Sequence, residues 1–123
     1  MAMGNAAWFE IPSADFERAV KFYEAIFVLA MKRERIAGMT LGIFPGGETD
    51  ITGAVLFDPD LKPSHNGATI YLSGGDDLAT PLARVEKAGG KIMVPKTALP
   101  PGMGHFAVFL DSEGNRMGLF SMG

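Results

Sequence analysis

The order of secondary-structure patterns repeats once along the chain, and this repeat limits the possible folds more than any other feature. In each half a short strand leads into an amphipathic helix, and three further strands follow. Strand patterns occupy residues 5–11, 31–36, 39–44 and 51–57 in the first half, and 68–72, 91–95, 105–110 and 115–121 in the second. The sequence therefore predicts two tandem βαβββ modules.

The first predicted helix has a continuous apolar stripe. Pro12 ends the preceding strand, and the hydroxyl of Ser13 is predicted to cap the helix N-terminus. Apolar side chains then recur at spacings of three and four residues, at Phe16, Ala19, Val20, Tyr23, Ile26 and Phe27. Because these side chains lie on one side of an α-helix, they must pack on a sheet or on another helix.

A polar segment separates the two halves. We assign module one to about residues 5–57, the linker to 58–66 and module two to about 67–121, within one domain of residues 1–123. The second helix is predicted to tolerate Pro81 in its first turn, to end at Gly89-Gly90, and to present an apolar face of Leu78, Leu82, Val85 and Ala88. The predicted class is α+β, with a helix on the outer face of each sheet and the inner face free.

The composition excludes several classes of function. The 123 residues contain no cysteine, which rules out disulfides, thiolate metal sites and a cysteine nucleophile. The net charge is −3, and the only basic run, residues 32–35, is interrupted by an acid, so we expect no nucleic-acid partner. No apolar run approaches the ~20 residues that span a bilayer, and no signal peptide is visible, so we expect a cytoplasmic protein without a membrane partner.

Four motifs in order resemble the vicinal oxygen chelate superfamily, which includes glyoxalase I, bleomycin-resistance proteins and extradiol dioxygenases. They are FEIPSADFERAVKFYEAIF at 9–27, GATIYL at 67–72, LARVEKAGGK at 82–91 and DSEGN at 111–115. The resemblance covers residues 5–121. It implies curved sheets around an open, barrel-like cavity with the helices outside, and pairing as a homodimer. It also implies that metal ligands, where present, come from the first and last strands of each module.

The positions that correspond to those ligands carry residues unsuited to a metal. Alignment with the family on Phe22-Tyr23 puts its first-strand histidine at Trp8, strand alternation puts the second-module histidine at Thr69, and Gly118 stands at the glutamate. A gap-free count from the Asp77 motif would place the second-module histidine at Ile70 instead of Thr69. The strand 52–57 has no carboxylate, histidine or glutamine. Since a catalytic zinc needs about three nitrogen, oxygen or sulfur ligands, we expect neither the usual metal nor another cofactor.

Two histidines and one carboxylate are the remaining candidates for an unorthodox metal site or a catalytic residue. His65 lies in the polar linker and is predicted to be a solvated side chain, whereas His105 opens a strand and faces either the cavity or its rim. Glu10 is predicted to face the cavity beside Trp8. A partly desolvated carboxylate there would suit a general base. The structural alternatives, which we favour, are an ion pair with Arg116 or simple exposure at an open cavity mouth. Glu10 with His105 would supply only two metal ligands.

Aromatic side chains on the same predicted face indicate a ligand pocket. Trp8, Tyr71 and Phe120, with Phe106 or Phe109, would suit an aromatic or cationic ligand, unless they fill the barrel or a dimer interface. Arg116 could receive an acidic group, and the loop 100–104 could cover the cavity. The candidate binding residues are therefore Trp8, Glu10, Thr69, Tyr71, His105, Arg116 and Phe120.

Three functions remain open on this basis. The first is a bleomycin-resistance-like protein that binds a small molecule in its cavity without a metal. The second is an enzyme of the glyoxalase, lyase or dioxygenase type, with an unorthodox metal site or with Glu10 as general base. The third is a non-catalytic scaffold subunit. The missing ligands weaken the second, and the polar residues predicted inside the cavity weaken the third, so we favour binding.

Overall fold

The first module has the predicted strand–helix–three-strand order in the computed structural model, which describes residues 5–47 and 50–123. Its elements are β1 (Trp8–Pro12), α1 (Phe16–Phe27), β2 (Lys32–Ile36), β3 (Met39–Ile43) and β4 (Thr52–Phe57). The strands form one sheet in the order β1-β4-β3-β2. Strands β1 and β4 run parallel, and the other neighbours pair antiparallel.

The second module repeats this topology. Its elements are β5 (Ile70–Ser73), α2 (Ala79–Leu82), β6 (Lys91–Ala98), β7 (His105–Leu110) and β8 (Arg116–Ser121), in the sheet order β5-β8-β7-β6. Strands β5 and β8 are again the parallel pair. The prediction of two tandem βαβββ modules is confirmed. The sheets remain two separate four-stranded sheets and do not close into a barrel.

Helix α1 begins with a different cap from the predicted one. The side chain of Asp15 accepts a hydrogen bond from the backbone N–H of Arg18, so Asp15 is the N-cap. Ser13 is buried, and its hydroxyl donates to the carbonyl of Leu56 in β4 at 2.8 Å. The prediction for Ser13 was wrong because this hydroxyl joins two parts of the first module instead of capping the helix.

Helix α2 is shorter than predicted. Regular α-helix covers only Ala79–Leu82, and tight turns continue to Gly89. In those turns Arg84 and Val85 donate to carbonyls three residues earlier, the spacing of a 3₁₀ turn. Leu78, Leu82 and Val85 are nevertheless buried, and Gly89 adopts a positive φ of 109°. None of the helices in the described residues is long and apolar enough to cross a bilayer.

Both helices lie within one hydrophobic core that the two modules share. Each sheet has a helix side, whose residues join this core, and an opposite side that we call its open face. Val55 of β4, Leu72 of β5 and Leu119 of β8 are core members on the helix sides. Helix α1 also contacts module two, since the ring centroids of Phe22 and of Phe109 in β7 are 6.0 Å apart. The helix sides of the two sheets therefore adjoin within one chain.

The turn DSEGN joins the second module to the start of α1. One carboxylate oxygen of Glu113 accepts from the backbone N–H groups of Ala14 and Asp15, at 3.0 and 2.8 Å. The guanidinium of Arg18 donates to both oxygens, and the side chain of Glu113 is fully buried. Burial opposes ionisation, but these bonds and the hydroxyl of Ser112 outweigh it and lower the pKa of Glu113 to about 2.

The other polar residues of the turn make a second connection. The hydroxyl of Tyr23 in α1 donates to Asp111 at 2.6 Å, and both side chains are buried. Burial and the neighbouring carboxylate raise the pKa of Tyr23, so its hydroxyl stays protonated. The side-chain amide of Asn115 donates to the carbonyl of Pro12 at 2.7 Å. The turn is thus a structural connection between the modules.

Candidate functional site

The open face of the first sheet carries two of the candidate residues side by side. Trp8 and Glu10 both project from β1 on the side away from α1, as strand alternation predicts, while Phe9 and Ile11 join the core. The indole N–H of Trp8 donates to Glu10 Oε2 at 3.3 Å. Both residues are exposed, so the partial desolvation expected for Glu10 is not present in the single chain.

The open face of the second sheet is built from cross-strand pairs of β5 and β8. Tyr71 is in register with Gly118, and Ser73 with Phe120. Two residues earlier along each chain segment, the guanidinium of Arg116 donates to the hydroxyl of Thr69, which lies immediately before β5. The alternative ion pair of Arg116 with Glu10 is therefore not formed, although both residues line one groove between the modules.

The ring of Tyr71 lies directly on the backbone of Gly118. A Cβ atom built on Gly118 would lie 2.7 Å from Cγ of Tyr71 and closer still to two carbons of the ring. Since real Cβ atoms do not approach other atoms so closely, any larger residue at 118 would displace the ring. Because Cγ itself is involved, relief requires rotation about χ1 of Tyr71. Glycine at 118 is what allows this position of the tyrosine.

Three aromatic rings and one leucine surround a pocket on this face. Its volume is about 320 Å³, and its lining residues are Tyr71, Leu99, Phe106 and Phe120. The rings of Tyr71 and Phe106 meet edge to face, with centroids 6.5 Å apart. Phe106 also lies opposite Phe120 in the register of β7 and β8. The pocket is almost purely apolar, which suits the flat face of an organic molecule.

The structure decides between the two phenylalanines that the sequence left open. Phe109 is fully buried on the helix side, so it cannot line the pocket, and Phe106 does. Leu99 was missed because it follows β6 and gives no periodic signal. Its backbone N–H donates to the carbonyl of Gly104 and closes the 100–104 loop beside the pocket. The glycines and prolines of that loop were the only signal available for it.

Neither histidine belongs to the aromatic pocket. His65 is exposed in the connection between the modules, as predicted. His105 opens β7 on the same alternation as Ala107 and Phe109, which places it on the helix side. Its Nδ1 lies 3.3 Å from the carbonyl of Met122. The register therefore puts His105 and Glu10 on opposite sides of different sheets, which does not favour a shared metal site.

The residues at the expected metal positions do not fit a metal centre. Trp8, Thr69 and Gly118 present an indole, a hydroxyl and bare backbone, and β4 contains no carboxylate, histidine or glutamine. Within residues 5–47 and 50–123, no three histidine or carboxylate side chains converge on a common point. A zinc-like ion needs about three such ligands. The ring of Tyr71 moreover occupies the space into which a glutamate at 118 would project.

Comparison with known protein sequences places these features in a family. The model of the Glyoxalase/Bleomycin resistance protein/Dioxygenase superfamily matches residues 5–119. A glyoxylase-like domain-containing protein of Didymella fabae is 33% identical over 117 residues, which cover 91% of this chain and 89% of that protein. The putative glyoxylase CFP32 of Mycobacterium bovis is 28% identical over 112 residues, and the chain spans only 41% of its length.

Solved structures agree in fold. Glyoxalase I from Zea mays superposes with a TM-score of 0.68 at 19% identity, over 94% of this chain and 45% of that one. TnmS3, an antibiotic binding protein from Streptomyces sp. CB03234, gives a TM-score of 0.71 at 23% identity, over 100% of this chain and 99% of that one. At these identities the likeness establishes the fold alone. The family match and the Didymella relative show that the chain belongs to the Glyoxalase/Bleomycin resistance protein/Dioxygenase superfamily.

Proposed function

We propose that this chain binds a small organic molecule on the open face of its second sheet, without a metal ion. The observation that carries the proposal is the apolar pocket of Tyr71, Leu99, Phe106 and Phe120. Its volume of about 320 Å³ falls at the lower end of the range for small-molecule sites. Three aromatic rings partly open to solvent gain free energy when a flat apolar molecule covers them.

The side chains around the pocket favour binding without a metal. Trp8, Thr69 and Gly118 offer no set of ligands, and Tyr71 fills the position of the family glutamate with an aromatic ring. Trp8 places an apolar ring at one donor position, and Gly118 leaves room for the ring of Tyr71 at another. TnmS3, described as an antibiotic binding protein, shares the fold over nearly its whole length, which also supports a binding role.

We further propose that a second copy of the chain completes the site. The open faces expose Trp8, Tyr71 and Phe120, which are 44%, 49% and 36% exposed. Among the residues that the structure describes, these three side chains stay exposed, whereas Leu41, Ala54 and Leu56 on the open face of the first sheet are buried. A two-fold dimer that sets module one of each copy against module two of the other would cover both faces at once, since two-fold interfaces are reciprocal. The resulting cavity would resemble the one expected from the sequence.

Isothermal titration calorimetry with 1-naphthamide tests the binding proposal. This uncharged bicyclic amide should bind chelator-treated protein, and Phe106→Ala should weaken binding about tenfold because it removes one wall of the pocket. The matched control is Phe57→Ala, since Phe57 is an exposed phenylalanine of the first sheet outside the pocket lining. That variant should bind as the wild type does. Equal weakening by both variants, or no binding to the wild type, would contradict the proposal.

A further inference from the structure

We propose that the open face of the second sheet selects flat aromatic molecules that carry an acidic group. In this proposal, which rests on the proposed function, Tyr71 contacts the aromatic ring and Arg116 binds the acid. Neither the family match nor the similar structures assign a ligand to these two side chains. The inference comes from their arrangement on neighbouring cross-strand pairs.

Three cross-strand pairs follow one another along β5 and β8 on the open face. Thr69 with Arg116 is the first pair, Tyr71 with Gly118 is the second, and Phe120 belongs to the third. Successive pairs on one face of a sheet are about 7 Å apart. The guanidinium of Arg116 therefore lies one cross-strand pair from the aromatic pocket. This spacing is about the distance from the ring centre of a small aromatic acid to a cation that binds its carboxylate.

Tyr71 provides a platform for the ring of the ligand. One face of the tyrosine ring lies on the bare backbone of Gly118, so the ring is supported without a side chain beneath it. The residue is 49% exposed, which leaves much of the ring open to a ligand. Phe106 meets it edge to face and limits the platform on one side. A flat molecule can stack on such a platform with offset geometry.

Arg116 retains the capacity to bind an acid. Its side chain is exposed, and its bond to the Thr69 hydroxyl uses one of five N–H donors. Among the residues that the structure describes, no carboxylate lies within ion-pair distance of Arg116. Glu10 lines the same groove but accepts from the indole of Trp8, and Lys62 adds a second cation. A guanidinium held in place by one bond can offer its other donors to a carboxylate in bidentate geometry.

Calorimetry with a matched pair of probes tests the inference. Chelator-treated wild-type protein should bind 1-naphthoate about tenfold more tightly than 1-naphthamide, because only naphthoate can pair with Arg116. Arg116→Gln should abolish this preference by weakening naphthoate binding alone. Arg35→Gln removes an exposed arginine from β2 of the other sheet and should leave the preference unchanged.

A second variant tests the platform without removing the tyrosine. Gly118→Ala keeps Tyr71 but pushes its ring off the backbone, so it should weaken both probes about tenfold, as should Tyr71→Ala. Circular dichroism of each variant establishes that it is folded before titration. Should Gly118→Ala not fold, Tyr71→Ala alone decides the platform.

The outcomes separate this inference from the proposed function. If both probes bind equally, or if Arg116→Gln leaves the preference intact, the acid assignment is wrong while binding at the pocket stands. If Tyr71→Ala binds both probes as the wild type does, the platform is wrong. If neither probe binds the wild type, the proposed function and the inference fail together.

Discussion

Tyr71 and Gly118 interact across two strands that are far apart in sequence, and the position of the tyrosine ring depends on the glycine. Glycine in a strand interior normally weakens the strand, because it adds flexibility and no contact area. Here the tyrosine ring from β5 covers the bare backbone of β8 and supplies the missing contact area. The pair should therefore affect both stability and the ligand surface.

A double-mutant cycle tests this coupling. Gly118→Ala should lower the free energy of unfolding by about 1–3 kcal/mol, because the added methyl group overpacks against Tyr71. In a Tyr71→Ala background the same change should be nearly neutral or slightly stabilising, since alanine suits a strand better than glycine does. Urea denaturation of the four proteins gives the coupling free energy. Equal costs in both backgrounds would show that the ring does not constrain residue 118.

The sequence alone identified Gly118 as unusual but could not identify its partner. Strand alternation correctly placed Trp8, Tyr71 and Phe120 on the open faces, because one side of each strand packs on the shared core. Which residue lies opposite Gly118 depends on the register of β5 and β8, which are joined through the rest of the module. That register is set by tertiary packing, and nothing local in the sequence encodes it.

The turn between β7 and β8 supplies a hydrogen-bond acceptor for backbone N–H groups at the start of α1 that the helix does not satisfy itself. The carboxylate of Glu113 accepts the backbone N–H groups of Ala14 and Asp15 beside the helix N-terminus, where a negative charge is favourable. Arg18 of the first helical turn binds the same carboxylate. The start of α1 is thus fixed by module two as well as by its own cap.

This connection predicts a specific loss of stability in acid. The folded-state pKa of Glu113 is about 2, below its ordinary value of 4.5, so its contribution is complete above about pH 4.5 and is lost as pH falls toward 2. Glu113→Gln should therefore cost about 2 kcal/mol at pH 7 and much less at pH 2.5, a figure reduced because Arg18 is half exposed. Urea denaturation at the two pH values measures the difference.

The control for this prediction is Glu86→Gln, which removes an exposed carboxylate from the turns after α2. That variant should change stability little at either pH. If Glu113→Gln cost the same at pH 7 and at pH 2.5, the carboxylate charge would not be the source of its effect.

The helices and strands could be predicted from the periodicity of apolar residues. Features that depend on single side chains, such as the helix cap, could not. The apolar stripe of α1 matched the buried residues well, although Phe22, which packs against the ring of Phe109 in module two, lay outside the predicted set. Ser13 and Asp15 are both acceptable caps, and only the tertiary bond of Ser13 to Leu56 distinguishes them. Pro81 lies in the first turn of the second helical segment and Gly89 ends it, as predicted, but its 3₁₀ turns had no clear sequence signal.

For the whole molecule, the arrangement of the modules determines where a binding cavity can form. Each apolar helix stripe could have packed on its own sheet alone, so the sequence could not say whether the cavity would close within one chain. In the structure, α1 contacts both modules and the helix sides adjoin. We propose that a second copy of the chain covers the exposed aromatic side chains of the open faces.

Sedimentation equilibrium tests the proposed dimer. The wild-type protein should sediment with about twice the chain mass of 13.1 kDa. Trp8→Glu should shift it toward the monomer, because a charge on the open face would be desolvated in the interface. The control is Val28→Glu, since Val28 is 72% exposed at the end of α1, away from the open faces. A wild-type monomer at high micromolar concentration, or an equal shift in both variants, would argue against this arrangement.

The affinity for a small molecule with and without a metal ion decides whether the pocket works without a metal. The affinity of the wild-type protein for 1-naphthamide should be measured by calorimetry after chelator treatment, and again with Zn²⁺ or Ni²⁺ added. We predict the same affinity in all three conditions and no stoichiometric metal uptake, because the open faces present aromatic rings and bare backbone at the metal positions. Binding that appears only after the metal is added would contradict metal-free binding by this chain.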